Sequence, residues 1–313
     1  MAEVLRPMST GELMDRTFAL YRKNFKLFVG IATIGPAASL VFQLLTVGSL
    51  AVPAATKPGT SAFAGASLGI GMLAGVVIML AGMAVANGAT VKAVAAVHLG
   101  RPITIGESYK SLKGSIWRIF GVFLSVALLV GIATVVIIIV ASILGSLAVV
   151  GGAQAGRAGT ILGVLVAIVA AVIGAMLAIT IYVRYALAVP ACVVEDIGVR
   201  ASLKRSAFLS KGSRSRILAV YAVFFILAVV VAMALTGLVG LISIIIPNLI
   251  ARLILNSVAG FIAGSLTGPL ATIGIALVYY DERVRKEAFD LQFMMASLDA
   301  PAPPAAAVVP AQP

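Results

Sequence analysis

Residues 119–149 read IFGVFLSVALLVGIATVVIIIVASILGSLAV, a run without a single charged side chain. A helix needs roughly 20 apolar residues to cross the hydrocarbon core of a bilayer. Five further runs meet that length, at about 27–52, 67–90, 160–183, 217–246 and 257–280. The sequence therefore predicts an all-α integral membrane protein with six transmembrane helices.

The overall composition agrees with this prediction. Hydrophobic residues make up 61% of the 313 positions and charged residues 11%, whereas a soluble domain is about 25% charged. Mean hydropathy is +1.14. The formal net charge of +12 favours nucleic acid in a soluble chain. Here the placement of the charges indicates a membrane cause instead, so no nucleic-acid partner is expected.

The basic residues lie on one side of the predicted spans. Three short connections between spans contain only three of the 23 Lys and Arg residues, namely Lys57, Arg157 and Arg252. The other 20 lie at the termini and in two long connections, near 91–118 and 184–216, together with all 11 acidic residues. Because cytoplasmic segments retain Lys and Arg, both ends are predicted in the cytoplasm, with the chain in the plasma membrane.

Three helix-start motifs recur along the chain. Ser9-Thr10-Gly11-Glu12 and Thr104-Ile105-Gly106-Glu107 are capping boxes, in which a hydroxyl and a glutamate each bind the other residue's backbone N–H. Asp196-Ile197-Gly198-Val199 keeps a capping Asp and lacks the Glu. Each motif precedes a basic helix and then two spans, so each predicts an amphipathic helix lying at the inner membrane surface.

The motifs predict a threefold internal repeat. Its unit is one interfacial helix followed by a transmembrane hairpin, at about 9–100, 104–192 and 196–292. The units form one membrane domain, 1–298. The remaining tail, 299–313, is rich in Pro and Ala and is predicted to be disordered.

Three residues are candidates for binding an anionic lipid or a solute: Lys92, Arg184 and Asn87. Lys92 and Arg184 lie just past the inner ends of two spans. They act either as topology anchors or as cations that hold a lipid phosphate or pair with an acidic residue, namely Glu12, Asp15, Glu107 or Asp281. Asn87 and other polar groups in the spans form either interhelical hydrogen bonds or part of a substrate site.

The chain lacks the usual means of catalysis. His98 is the only histidine and Cys192 the only cysteine, which argues against Cys/His zinc sites and against Cys-His or Ser-His nucleophile pairs. No catalytic residue, metal or cofactor is expected.

Three stretches resemble a known bacterial family: STGELMDRTFALYRKNF at 9–25, GVRASLKRS at 198–206 and YYDERVRKEAFDL at 279–291. The sequence is similar there to the family labelled glycerophosphoryl diester phosphodiesterase membrane domain. The resemblance implies about six spans and repeated short helices. The label comes from members whose membrane portion is fused to a soluble catalytic barrel, and this chain matches the membrane portion only. Phosphodiesterase activity is therefore not expected.

Two functional hypotheses follow from the sequence. The leading one is a non-catalytic scaffold or accessory protein, whose basic cytoplasmic face contacts anionic inner-leaflet lipids of the bilayer or a protein partner. The alternative is a small-molecule transporter or lipid-handling protein with a site between the repeats.

Overall fold

A computed structural model describes residues 7–51, 61–98, 100–154 and 157–287. These ranges contain helices and no strand. In chain order the helices are α1 (Thr10–Lys23), α2 (Phe25–Ala32), α3 (Ile34–Ala51), α4 (Ser61–His98), α5 (Ile105–Lys110), α6 (Ile116–Gln154), α7 (Arg157–Tyr185), α8 (Ala188–Glu195), α9 (Val199–Leu209), α10 (Arg214–Ser243) and α11 (Leu249–Glu287). The tail predicted at 299–313 lies outside the described residues.

Six helical segments in the described part of the chain are long and apolar enough to cross a membrane. They are Phe25–Gly48, Gly69–His98, Ile116–Ile143, Gly163–Glu195, Arg214–Ser243 and Leu249–Glu287. Each overlaps one of the runs predicted from the sequence. The all-α class and six candidate spans are thus confirmed, and the architecture is that of a multi-pass helical membrane protein.

The two predicted capping boxes form at the starts of α1 and α5. Ser9 Oγ accepts the Glu12 N–H at 3.2 Å, and the Glu12 carboxylate accepts the Ser9 N–H at 2.7 Å. Thr104 and Glu107 make the same two bonds, at 3.3 and 2.8 Å. The hydrogen bond from the Thr104 backbone holds the pKa of Glu107 below its usual value.

The third predicted cap is wrong. Gly198 is the N-cap of α9, and it has no side-chain cap. Asp196 instead ends α8 in the left-handed region, with φ of 53°. From there its carboxylate pairs with Arg118 at 2.7 Å and accepts the Ser115 hydroxyl at 3.0 Å. The left-handed turn, which Asp tolerates better than most residues, directs the carboxylate to the start of α6 and away from α9.

α11 is the central helix of the bundle. The most apolar stretch of α11 is 61% buried inside the bundle, whereas the most apolar stretches of the spans formed by α6 and α7 are each 6% buried. α6 and α7 pack mainly on each other, and α11 contacts α1, α2, α3, α4, α8, α9 and α10. A Cβ added at Gly274 would lie 2.6 Å from Phe224 of α10, so α10 approaches α11 closely through a missing side chain.

Two tyrosines tie the short helices to spans near proline interruptions. The first span breaks at Thr33, between α2 and α3, with Pro36 in the first turn of α3. Pro269 lies inside α11. Proline has no N–H, so the carbonyl four residues before it, at Ala32 or Ser265, loses its helical partner, and the carbonyls bound by the two tyrosines each lie one residue from these. The Tyr109 hydroxyl of α5 donates to the Ile31 carbonyl, and the Tyr21 hydroxyl of α1 donates to the Leu266 carbonyl at 2.6 Å.

The end of α11 carries a network of charged side chains, here named the α11 charge cluster. Its members are Glu195, Arg205, Arg216, Asp281, Glu282, Arg283, Arg285, Lys286 and Glu287. Asp281 is buried, pairs with Arg216, accepts from Arg285 at 2.8 Å and accepts the Met8 N–H at 2.6 Å. Glu282 is also buried; it accepts the Ser213 hydroxyl at 2.6 Å and pairs with Lys286 at 3.2 Å.

Arg205 of α9 connects two further carboxylates of the α11 charge cluster, Glu195 and Glu287. Its Nε donates to Glu195 of α8 at 2.8 Å, and its terminal nitrogens donate to Glu287 of α11. The hydrogen bonds to Glu287 hold the pKa of Arg205 above its usual value. Tyr279 donates its hydroxyl to Glu195 at 2.6 Å. The cluster thereby joins α8, α9, α10, α11 and the segment before α1.

Asp281→Asn should lower the free energy of unfolding by about 3–5 kcal/mol, because it removes the buried carboxylate that pairs with both Arg216 and Arg285 and leaves Arg216 only its longer contact with Glu282, at 3.5 Å. Asp196→Asn is the matched control. The ion pair between Asp196 and Arg118 is exposed to solvent, and an exposed pair contributes about 0–1 kcal/mol to the free energy of unfolding. Unfolding of both variants in the same detergent, followed by circular dichroism, measures the difference. Equal losses would contradict a special role for the buried pair.

Tyr109→Phe should lower the free energy of unfolding by about 1–3 kcal/mol, because the Ile31 carbonyl loses its hydrogen-bond donor. Burial raises the pKa of Tyr109 to about 12, against about 10 for an unfolded tyrosine. The stabilisation is therefore complete below pH about 10 and is lost as the pH rises through about 12. Tyr185→Phe is the control, since the Tyr185 hydroxyl has no hydrogen-bond partner among the described residues. Identical alkaline unfolding profiles for the two variants would refute the assignment.

Candidate functional site

A cavity of about 460 Å³ lies among α4, α6, α7, α8, α10 and α11. Its walls are mainly apolar side chains and glycines. They include Val91 from α4, Phe123, Val126, Ala127, Val130 and Gly131 from α6, Val189 and Pro190 from α8, and Gly268, Ala271 and Ile275 from α11. The cavity exists because α6 and α7 do not pack closely on α10 and α11 at this level.

One neutral polar pair interrupts the apolar wall. The Asn87 side-chain oxygen of α4 accepts the Thr272 hydroxyl of α11 at 2.6 Å, and the Asn87 amide donates to the Met83 carbonyl at 2.8 Å. A carboxamide carries two N–H donors, so one donor of Asn87 is not used by these contacts. None of the described residues that line the cavity is charged.

Tyrosines form one edge of the cavity. Tyr182 of α7 and Tyr221 of α10 both line it, and their rings meet edge to face with centroids 4.9 Å apart. This pair is where α7 meets α10. Tyr182 is 41% exposed, so this edge lies at the surface of the bundle and borders the apolar exterior of α7.

The structure brings one of the three predicted site residues to the cavity. Asn87 lines it, whereas Lys92 and Arg184 do not. Arg184 is exposed, with its guanidinium carbon 5.5 Å from the ring centroid of Tyr185, which does line the cavity. Lys92 is half-buried on α4, one residue beyond Val91. Arg184 thus borders the site from outside.

The predicted acidic partners of these cations are engaged elsewhere. Asp281 binds Arg216 and Arg285. Glu12 and Glu107 take part in the capping boxes. Among the described residues, neither Lys92 nor Arg184 forms an ion pair with Glu12, Asp15, Glu107 or Asp281, so the alternative in which they pair with those carboxylates is not what the fold adopts.

Thr272, Tyr182, Tyr185 and Tyr221 are the polar lining residues that sequence reasoning did not assign to a site. The three tyrosines fit the pattern of aromatic residues near span ends, which by itself indicates membrane anchoring. Thr272 lies 185 positions from Asn87. No local pattern connects two polar residues so far apart.

The remaining reactive groups are placed as follows. Cys192 is buried, with its sulfur 3.5 Å from the Ile197 carbonyl oxygen. Over the ranges the structure describes, no group of three or more His, Cys, Asp or Glu side chains is positioned to hold a metal ion.

Comparison of the chain with models of protein families, with curated proteins and with solved structures finds no match. The class of protein is therefore defined by its own fold and cavity. The chain is an all-helical protein with six candidate membrane spans and an apolar cavity between them. The family resemblance remains a hypothesis.

Proposed function

We propose that the chain is a non-catalytic, multi-pass protein of the bacterial inner membrane that holds an apolar small molecule or lipid in its cavity. The cavity is the observation that carries the proposal. Its volume of about 460 Å³ lies within the range of about 300–1,000 Å³ found for small-molecule sites, which are also mostly apolar with a few placed polar groups. This is the lipid-handling alternative from the sequence.

A lipid-soluble ligand suits the walls better than a water-soluble solute. A charged solute in this cavity would meet no opposite charge, and an uncompensated charge costs several kcal/mol in an apolar environment. The exposed edge at Tyr182 adjoins the apolar surface of α7, where Ile179, Met176 and Ile173 are exposed. A molecule dissolved in the bilayer reaches that edge directly.

The proposed topology places both chain ends and the α11 charge cluster in the cytoplasm, following the distribution of Lys and Arg. The proposed threefold repeat is supported by the order of elements. α1, α5 and α9 are short helices, and each precedes two of the six candidate spans. We also propose membership of the family labelled glycerophosphoryl diester phosphodiesterase membrane domain, on the sequence resemblance at 9–25, 198–206 and 279–291, with no phosphodiesterase activity expected.

The basic surface around α9 supports contact with anionic inner-leaflet lipid. Exposed cations there are Arg200, Lys204, Lys211 and Arg214. Phe208, 56% exposed, lies among them and offers an apolar group for insertion at the headgroup level. Each cation near an anionic membrane surface contributes about 1 kcal/mol of attraction.

A scaffold role is the second candidate. α6 exposes apolar side chains around most of its circumference, including Ile132, Val135, Ile138 and Ile139. Among the described helices, α7 packs most extensively on α6. A membrane-embedded protein partner could pack there, with the basic face meeting a second partner in the cytoplasm.

Topology is testable with single cysteines, because the chain has one natural cysteine and Cys192→Ala removes it. In that background Arg200→Cys on α9 should react with a membrane-impermeant maleimide only after the cells are opened. Ile245→Cys, at the opposite end of α10 and 80% exposed, should react in intact cells. The reverse pattern would overturn the proposed orientation.

Gly131→Leu should weaken binding of an apolar ligand. Gly131 lines the cavity, and a Cβ built there meets nothing within 4 Å, so the backbone accepts a side chain, and the leucine takes up part of the space at that wall. Leu also favours a helix by roughly 0.8 kcal/mol over Gly, which guards against unfolding. The measurement is native mass spectrometry of the protein released from its own membranes, scoring retained lipid.

Gly240→Leu on α10 is the matched control. A Cβ at Gly240 also meets nothing within 4 Å, and Gly240 does not line the cavity. Its retained lipid should equal that of the unchanged protein. Equal retention by both leucine variants would show that the ligand lies elsewhere.

A further inference from the structure

We infer that the ligand of the cavity is a single-chain lipid with an uncharged, oxygen-bearing head, such as a monoacylglycerol or a long-chain alcohol, and that its head binds at Asn87 and Thr272. This inference rests on the proposed function and specifies its ligand. Three properties of the cavity lead to it: its size, its lack of charge and the unused hydrogen-bonding capacity of one polar pair.

The volume limits how much of a lipid enters. A cavity of about 460 Å³ lies in the lower half of the range of about 300–1,000 Å³ found for small-molecule sites. It therefore takes a small head and part of one chain, and the rest of that chain leaves through the exposed edge at Tyr182.

The residues that line the cavity favour a ligand with a neutral head group. The polar residues facing the cavity are an amide, a threonine and three tyrosines, and no cation is among them. A phosphate or carboxylate drawn inside would lose its hydration with no positive partner. Arg184 does not line the cavity; its side chain is exposed, with the guanidinium carbon 5.5 Å from the ring centroid of Tyr185.

The Asn87–Thr272 pair gives the head its binding position. Asn87 has one N–H left to donate after its bond to Met83. Thr272 donates its proton to Asn87, which leaves its oxygen free to accept. A ligand hydroxyl both accepts and donates, so it satisfies both groups at once. A bare hydrocarbon satisfies neither.

Photo-crosslinking with two matched probes tests the inference. The full-length protein in phosphatidylcholine nanodiscs is irradiated with a monoacylglycerol or a lysophosphatidic acid that carry the same diazirine-bearing chain. The two probes differ only in the phosphate. Peptide mapping should place the monoacylglycerol on lining residues of α6 and α11, with a yield more than about tenfold above that of lysophosphatidic acid, which corresponds to 1.4 kcal/mol.

A variant then locates the head. Thr272→Val, close to isosteric, removes the hydroxyl and should lower monoacylglycerol labelling about threefold to tenfold, the range for one hydrogen bond. Labelling by an alkane probe with the same diazirine should not change. Thr236→Val is the control, because Thr236 bonds only within α10 and does not line the cavity. If Thr272→Val fails to fold, the comparison of the two probes on the unchanged protein still decides the ligand class.

The outcomes separate this inference from the proposed function. Equal or stronger cavity labelling by lysophosphatidic acid would overturn the neutral-head inference and leave a lipid-binding cavity in place. Thr272→Val and Thr236→Val giving the same monoacylglycerol labelling would overturn the head position. Absence of cavity labelling by all three probes, the alkane included, would overturn the proposed function itself.

Discussion

The buried carboxylates at the end of α11 impose the strongest constraint on this fold. Removing an ion from water costs several kcal/mol unless a close partner of opposite charge compensates it. Asp281 and Glu282 obtain their partners partly from α10 and from the backbone of Met8. Glu287 obtains its partner, Arg205, from α9. Helices distant in sequence must therefore meet at this one level, and the chain start is held there with them.

The level of the bundle next to the charge cluster is neutral over the described residues that line the cavity. The cluster and the cavity follow each other along α11: Ile275 lines the cavity, and Tyr279, one turn later, donates to Glu195 in the cluster. Arg205, Arg216, Arg283, Arg285 and Lys286 all have anionic partners at the cluster level. The cavity is left with amide and hydroxyl groups only, and this absence of charge is the basis of the ligand class proposed for it.

The candidate site was partly predictable. Asn87 could be identified as an uncommon polar residue inside a span, and it lines the cavity. Lys92 and Arg184 were selected by their position near span ends, but that position reflects the membrane boundary, and neither residue lines the cavity. Asp196 failed as a helix cap because a left-handed turn directs it to Arg118. For Asp196 the local sequence was read correctly and a contact from a distant helix decided the outcome, whereas lipid binding at Lys92 and Arg184 stays a prediction.

The sequence by itself determined the six candidate spans and the capping boxes at Ser9 and Thr104, because both depend on residues within a few turns of each other. Long apolar runs form helices in lipid whatever their neighbours are, and a capping box closes within three residues. Only the tertiary structure decided which span is central, which carboxylates are buried and where a cavity remains. Those features depend on side chains that meet across the bundle, such as Asn87 with Thr272 and Arg216 with Asp281, and no local pattern encodes such pairs.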